Sequence, residues 1–231
     1  MRYRAQRAAG FGALIVALGG VPSATAQVRG IPVYNSGVPR GIAIYGDVGF
    51  SNASAGKGTA FGISGRAGFG PLGATATLSS FNPKGPGGSD VAVGATLNYK
   101  LFGGPLVPLS VTLQGGIGYS KPESEGGFLV GFPPGSDVNE LHFPVGVGFA
   151  LTIPNPVLAI RPWIAPRVDV VRTSVSGNSN TDTNFGLGGG IELNLLNGFG
   201  LHAAYDRVFT SAGDPSVFGF GIHYALRIPG L

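Results

Sequence analysis

The stretch that decides the fold runs from Thr183 to Phe209 and reads TNFGLGGGIELNLLNGFGLHAAYDRVF. In both arms of this stretch, large apolar residues alternate with glycine or polar residues. Strict alternation is typical of a β-strand whose two faces meet different environments. The Asn-Gly pair at 197–198 lies between the arms and predicts a hairpin turn.

The parity of the two arms fixes the register of this hairpin. Residues that face each other across a hairpin lie on the same face of the sheet. A two-residue turn would mix the faces, whereas the three-residue loop 196–198 pairs Leu195 with Phe199 and keeps them matched. The same register places Glu192 opposite His202.

The rest of the chain repeats this pattern and predicts about ten strands, with eight as the alternative. The other predicted strands are Gly41–Phe50, Thr59–Phe69, Leu72–Phe81, Asp90–Phe102, Val107–Ser120, Asn139–Ile153, Leu158–Val175 and Ser216–Ile228. Short turns alternate with longer polar connections, including a predicted loop from Ser174 to Asp182. Pro162 and Pro166 predict a bulge or broken pairing in their strand, because proline cannot donate to the ladder.

The N-terminus has the pattern of an export signal. A basic start is followed by an apolar run, 8–20, and by the small residues Ala24 and Ala26, which predict cleavage after residue 26. We therefore expect residues 1–26 to be a cleaved signal peptide, 27–40 an irregular periplasmic lead-in, and 41–231 a barrel. Loss of the leader's three arginines lowers the excess of basic over acidic residues from four to one, so no nucleic-acid partner is expected.

Composition and the distribution of aromatic residues favour a membrane barrel. Only 11% of residues are charged, against about 25% in ordinary soluble domains. The small, polar face suits a barrel interior, because a water-exposed surface is richer in Lys and Glu. The aromatic residues of the apolar face form two belts, as at the two interfaces of a membrane. The short-turn belt comprises Phe69, Tyr99, Phe149, Phe199 and Tyr224, and the long-loop belt Phe50, Phe61, Phe81, Tyr119, Phe143, Phe185, Tyr205 and Phe218.

These features predict an all-β fold: a single antiparallel up-and-down transmembrane β-barrel. The leader, the alternating strands, the loop asymmetry and the glycine-rich inner face resemble the small bacterial outer-membrane β-barrel proteins of the OmpA-like barrel superfamily. The resemblance covers nearly all of Gly41 to Ile228. It implies a location in the bacterial outer membrane, with membrane lipid and the barrel-assembly machinery as partners.

Charged and histidine side chains on the inner face are the candidate functional residues. We expect a lumenal polar network of Arg66, Lys100, Arg161, Glu192, His202, His223 and Arg227. We expect polar residues near the long-loop rim at Glu140, His142, Asp169 and Asp206. The spacing of the three histidines is not that of metal ligands, and neither a cofactor nor a catalytic residue is predicted.

Three classes of function remain open from the sequence. The first is a non-enzymatic outer-membrane barrel with a structural or surface role, or one that acts as a narrow pore for small solutes. The second is an outer-membrane barrel enzyme, either a protease or a lipid hydrolase, in which carboxylates near a histidine act as general acid and base. The third is a soluble periplasmic ligand-binding barrel, which would need an apolar interior.

Overall fold

A computed structural model describes residues 28–39, 41–85, 88–104, 107–122, 138–211 and 213–226. Its strands are β1 (Gly41–Ser51), β2 (Gly58–Phe69), β3 (Leu72–Pro83), β4 (Asp90–Gly104), β5 (Val107–Ser120), β6 (Val138–Leu151), β7 (Ile153–Pro154), β8 (Leu158–Val175), β9 (Asn178–Leu195), β10 (Phe199–Phe209) and β11 (Ser216–Leu226). A turn of 3-10 helix, Ala53–Ala55, follows β1. Within the described ranges, no helix has the length and apolar character needed to cross a membrane.

The ten long strands close into one up-and-down barrel. Each pairs antiparallel with the next along the chain, β6 pairs directly with β8, and β1 pairs with β11 to complete the ring. The two-residue β7 adds only a short edge pairing to β8. The predicted fold class is confirmed, with ten strands and not eight. We call the end of the barrel that holds the connections after β2, β4, β7 and β9 the short-turn end, and the opposite end the long-loop end.

The hairpin that predicts the fold has the expected register. The described pairing places Glu192 opposite His202, and β9 and β10 are separated by the three residues 196–198. Gly198 has a φ of +92°, a backbone conformation that costs glycine little because it has no Cβ.

The apolar face of the sheet lies outside the barrel and the polar face inside. Leu97 and Ile222 are 72% and 63% exposed, whereas Glu192 and His202 are 3% and 4% exposed. This arrangement matches the expectation for a membrane barrel and is the reverse of a soluble barrel with an apolar interior.

One aromatic residue lies on the face opposite to the predicted one. The other members of the two belts are exposed on the outside, but Phe81 is completely buried in the lumen. The strand β3 pairs with β2 without a register shift, so Phe81 lies one residue out of phase with the outward-facing Leu78. Inside the barrel its ring lies 4.8 Å from the guanidinium carbon of Arg29, a cation–π contact.

The predicted loop from Ser174 to Asp182 is wrong. β8 continues to Val175, β9 begins at Asn178, and only two residues connect them. Both connecting residues, Ser176 and Gly177, have positive φ, as in a tight hairpin turn of type I′. This hairpin extends past the end of β10, and its residues 176–183 are exposed. Strands with both faces exposed do not need apolar alternation, which removes the sequence signal.

The prolines of β8 have the predicted effect on one neighbour only. The pairing with β9 is continuous and includes Pro162 and Pro166. The pairing with β6 runs to Gly146 and resumes at Phe149, leaving a gap opposite Pro166. The missing N–H of proline explains a local break of this kind.

The segment before β1 is irregular and lies inside the barrel. Nine of its twelve residues, 28–39, are buried by the strands. Proline and glycine punctuate this segment and remove any periodicity, so no sequence pattern indicates its place. We call residues 28–39 the lumenal segment.

Candidate functional site

The lumenal segment runs the length of the barrel. At the long-loop end, Arg29 Nη1 lies 2.8 Å from Asp90 Oδ2, at the first residue of β4. Further along the segment, the amide of Val33 donates to Asp206 Oδ2 at 3.0 Å. Pro39 lies against Gly68, next to the short-turn end of β2. The chain then enters β1 at that same end, so the segment and β1 run in opposite directions.

Glycines of the wall make room for this segment. A Cβ at Gly148 would lie 2.5 Å from the side chain and carbonyl oxygen of Asn35, and a Cβ at Gly219 would lie 2.7 Å from Pro32 Cδ. Side-chain atoms at such distances force their neighbours to move. The inward glycines that face the segment in this way are Gly49, Gly62, Gly68, Gly73, Gly148, Gly188 and Gly219. Many glycines of the inner face therefore form a channel that fits the backbone of this segment.

A buried cation and anion meet in the middle of the lumen. Arg66 Nη1 lies 3.4 Å from Glu192 Oε1, and the same carboxylate oxygen accepts a hydrogen bond from Ser36 Oγ at 2.6 Å. The guanidinium carbon of Arg66 lies 3.8 Å from the ring centroid of Tyr45 and 5.1 Å from that of Tyr34. The wall and the lumenal segment therefore share one network, in which each charge is paired or stacked.

Two histidines extend this network towards β1 and β9. His202 Nε2 lies 2.7 Å from Asp47 Oδ1, and its Nδ1 lies 3.2 Å from Nδ1 of His223. His223 Nε2 in turn lies 2.9 Å from the side-chain oxygen of Asn194. In the close contact between the two histidines, one Nδ1 must donate and the other must accept. The tautomers of His202 and His223 therefore depend on each other.

A second ion cluster lies nearer the long-loop end. Arg167 donates from Nε to Asp169 Oδ2 at 2.8 Å, and from Nη1 and Nη2 to the two carboxylate oxygens of Asp206 at 2.5 and 3.1 Å. Asp206 also accepts the amide of Val33, which fixes the lumenal segment to β10. The cluster thus joins β8, β10 and the lumenal segment through Asp206.

The structure brings only some of the predicted network together. Arg66, Glu192, His202 and His223 form the central network described above. Arg161 pairs in register with Glu192 and is half-buried, and Lys100 is also half-buried, on β4. Arg227 lies outside the described residues.

The four predicted rim residues divide into two groups. Asp169 and Asp206 both bind Arg167. Glu140 and His142 lie on β6, with His142 Nε2 3.7 Å from Glu140 Oε2. All four are at most 4% exposed. They line the lumen below the rim and do not converge on one open cleft.

Sequence reasoning misses the members of the network that the lumenal segment supplies. Arg29, Tyr34 and Ser36 lie outside every alternating stretch, so no face can be assigned to them. A signal is present in the wall, where inward-facing glycines recur on several strands and leave space that side chains of the wall do not fill.

A small cavity lies beside the segment. A cavity of about 30 Å³ lies between the lumenal segment and β2–β4, with Ser64, Arg66, Thr75 and Thr96 among its lining residues. Its polar lining and size suit ordered water. In the part of the chain that the structure describes, no group of three or more His, Asp or Glu side chains could hold a metal ion.

Comparison with known proteins identifies no family model and no curated protein that matches the sequence. Among solved structures, the N-terminal β-barrel domain of Pseudomonas aeruginosa OprF is similar at 12% identity over 79% of this chain and 95% of that chain, with a TM-score of 0.38. Ail, the attachment invasion locus protein of Yersinia pestis, is similar at 14% identity over 80% and 99%, with a TM-score of 0.38. The outer membrane protease OmpT of Escherichia coli is similar at 10% identity over 80% and 95%, with a TM-score of 0.41. Scores of this size carry no inference about function; the barrel is established by its strand pairing.

Proposed function

We propose that this chain is an outer-membrane β-barrel closed by its own N-terminal segment, with a structural or surface role and without enzymatic activity. The observation that carries the proposal is the lumenal segment, which is anchored from Arg29 at one end of the barrel to Pro39 at the other. A barrel filled in this way holds its shape and offers its loops and outer wall, but not its lumen, to other molecules.

The outer surface supports placement in a membrane. The ten long strands have 11 to 18 residues, and about 9–11 tilted residues suffice to span a bilayer. Their outward side chains are apolar, with exposed aromatic residues towards both ends. Transfer of apolar surface from water into lipid is favourable by about 25 cal/mol per Å², and this free energy drives insertion strongly. The export signal expected at residues 1–26 and the resemblance to small outer-membrane barrels are consistent with this location.

The lumen favours a closed barrel over a pore. A barrel of ten strands is narrow even when empty. Here its axis carries the lumenal segment, which contacts wall glycines and bonds to Asp206 and Glu192. The cavity of about 30 Å³ beside it suits water and is too small for nutrient-sized solutes.

The buried carboxylates favour a non-enzymatic role. General acid–base catalysis needs groups that a substrate can reach. Asp169 and Asp206 are occupied by Arg167, and Glu140 and His142 are enclosed by the barrel. The rival assignment, a protease or lipid hydrolase, would require these groups to converge at an open rim.

Conductance in planar bilayers tests the closed barrel. We expect the refolded mature protein to insert without channel openings, and a variant that lacks residues 28–39 to conduct, because the deletion empties the glycine-lined lumen. Heat-modifiable migration on gels verifies that both barrels are folded. A second variant, Arg29→Ala with Ser36→Ala, keeps the full segment but removes two anchors, and should show brief openings. Steady openings of the wild type, as large as those of the deletion variant, would refute the proposal.

A further inference from the structure

The lumen contains a pair of buried histidines whose contact depends on one unprotonated nitrogen. His202 on β10 and His223 on β11 are 4% and 3% exposed, and their Nδ1 atoms lie 3.2 Å apart. A hydrogen bond at this contact requires one Nδ1 to carry a proton and the other to offer its lone pair. If both rings were fully protonated, both Nδ1 atoms would carry a proton, and the hydrogen bond would become a contact between two like charges.

The direct partners of the pair differ in charge. The carboxylate of Asp47 on β1 lies 2.7 Å from His202 Nε2 and balances one imidazolium. The partner of His223 Nε2 is a neutral group, the side-chain oxygen of Asn194 on β9, at 2.9 Å. Two imidazolium rings at the observed separation repel strongly, because burial keeps water from screening them.

The other charged group that faces the pair is already shared. Glu192 on β9 acts on His223, but its negative charge also acts on Arg66 of β2 and Arg161 of β8. Arg66 itself adds a positive charge near His223. The site therefore accommodates one added proton far better than two.

Tyrosines cover the two rings on their remaining sides. Tyr45 of β1 stacks on His223 with ring centroids 4.6 Å apart and lies 5.3 Å from His202. Tyr34 of the lumenal segment packs edge-on against His202, with ring centroids 5.3 Å apart. The lumenal segment is therefore in direct contact with the pair.

The lumenal segment is also the neighbour most able to move. A continuous backbone ladder joins β10 and β11 on both sides of the histidines. The segment is held instead by separate contacts with wall side chains, such as the hydrogen bond from Gln114 Nε2 to the carbonyl oxygen of Tyr34 at 2.8 Å. Separation of the two charged rings would therefore displace Tyr34 before it breaks the wall.

We infer that His202 and His223 form an acid-sensitive latch: protonation of both rings displaces Tyr34 and opens the lumen that the segment closes at neutral pH. The inference rests on the proposed closed barrel and adds a regulation to it. At neutral pH at least one Nδ1 is unprotonated, the hydrogen bond is intact and the barrel is closed. Acidification adds the second charge and opens it.

Conductance in planar bilayers tests the latch between the ordinary pKa values of histidine, about 6.5, and of carboxylates, about 4. We expect the wild-type barrel to be silent at neutral pH and to open reversibly at about pH 4.5. His202→Gln and His223→Gln keep a hydrogen-bonding side chain that cannot become charged, and should stay closed in acid. His142→Gln is the matched control, because His142 is the third histidine of the chain and contacts Glu140; it should open like the wild type.

The fluorescence of Trp163 in lipid vesicles gives a second measurement that does not need a conducting pore. Its ring centroid lies 6.1 Å from that of Tyr34, so displacement of Tyr34 changes its surroundings. We expect its emission to shift on acidification in the wild type and in His142→Gln, and to stay unchanged in His202→Gln and His223→Gln. Heat-modifiable migration verifies that each barrel is folded, and His223→Asn replaces any glutamine variant that does not fold.

Two results would overturn the latch while the closed barrel stands. One is a folded wild type that neither conducts nor changes its Trp163 emission in acid. The other is acid opening that persists in both His202→Gln and His223→Gln, because buried carboxylates would then be the acid-sensitive groups. Steady openings of the wild type at neutral pH would refute the closed barrel itself, and the latch with it.

Discussion

Arg167→Met is expected to cause one of the largest losses of stability that a single change in the lumen can produce. The variant removes the guanidinium that binds Asp169 and both carboxylate oxygens of Asp206. These two carboxylates are 4% and 0% exposed, so water cannot replace the lost cation. Breaking a buried ion pair by removing one partner costs about 3–5 kcal/mol. We expect the free energy of unfolding to fall by that amount.

The measurement is a urea titration of the refolded barrel in lipid vesicles. Trp163 is the single tryptophan, and it is buried in the lumen with its ring centroid 6.1 Å from that of Tyr34. Its fluorescence should therefore report loss of the filled lumen. The free energy is obtained from the midpoint and slope of the transition.

Two further variants separate the buried charges from loss of arginine as such. Arg207→Met removes an arginine from an exposed pair with Asp214 and should change stability little, because solvent screens such pairs. The triple variant Arg167→Met, Asp169→Asn, Asp206→Asn removes the uncompensated charges and should recover part of the loss. Equal stability of Arg167→Met and Arg207→Met, or no recovery in the triple variant, would refute the reasoning.

Three other outcomes follow from the same structure. Phe81→Ala should lower the free energy of unfolding by about 3–5 kcal/mol, whereas Phe61→Ala, on the exposed face, should cost less in the same urea titration; equal costs would place Phe81 outside the lumen. Leu97→Lys should destabilise the inserted barrel by about 2–4 kcal/mol, because it places a charge on the outward face near mid-strand, and Asn180→Lys should not; vesicle flotation and urea titration measure both, and tolerance of lysine at Leu97 would argue against lipid contact. Gly148→Val should displace the lumenal segment and produce channel openings in planar bilayers, and a silent, fully stable variant would contradict the close contact at that glycine.

Alternation accounts for most of the fold that the sequence predicts. A strand in a closed barrel has one face towards the lumen and one outwards, so its residue classes must alternate. The alternation in β9 and β10, together with the Asn-Gly turn between them, is sufficient to place Glu192 opposite His202. The same parity assigns Arg66, His202 and His223 to the interior. The face on which a residue lies and its position along the strand are local properties of that strand. Both can therefore be predicted from the sequence.

Contacts made by an irregular segment cannot be predicted from alternation. The partners of Ser36 and Arg29 are Glu192 and Asp90, and no periodicity relates either pair. The prediction for Phe81 is wrong for a different reason: it follows residue type, whereas the parity of β3 assigns Phe81 to the face opposite Leu78, inside the barrel, where its ring stacks on Arg29.

The seam between β1 and β11 has a consequence for the order of assembly. It pairs Ile42 with Leu226, residues near opposite ends of the chain. Pairings so distant in sequence form slowly and need the last strand to be present. The lumenal segment lies immediately before β1 and contacts glycines on both sides of this seam, including Gly49 and Gly219. If the barrel closed while empty, the twelve residues of the lumenal segment would have to thread into a narrow lumen. An open sheet can instead curl around the segment before it closes. The lumenal segment would then act as a template that sets the circumference at which β1 and β11 pair.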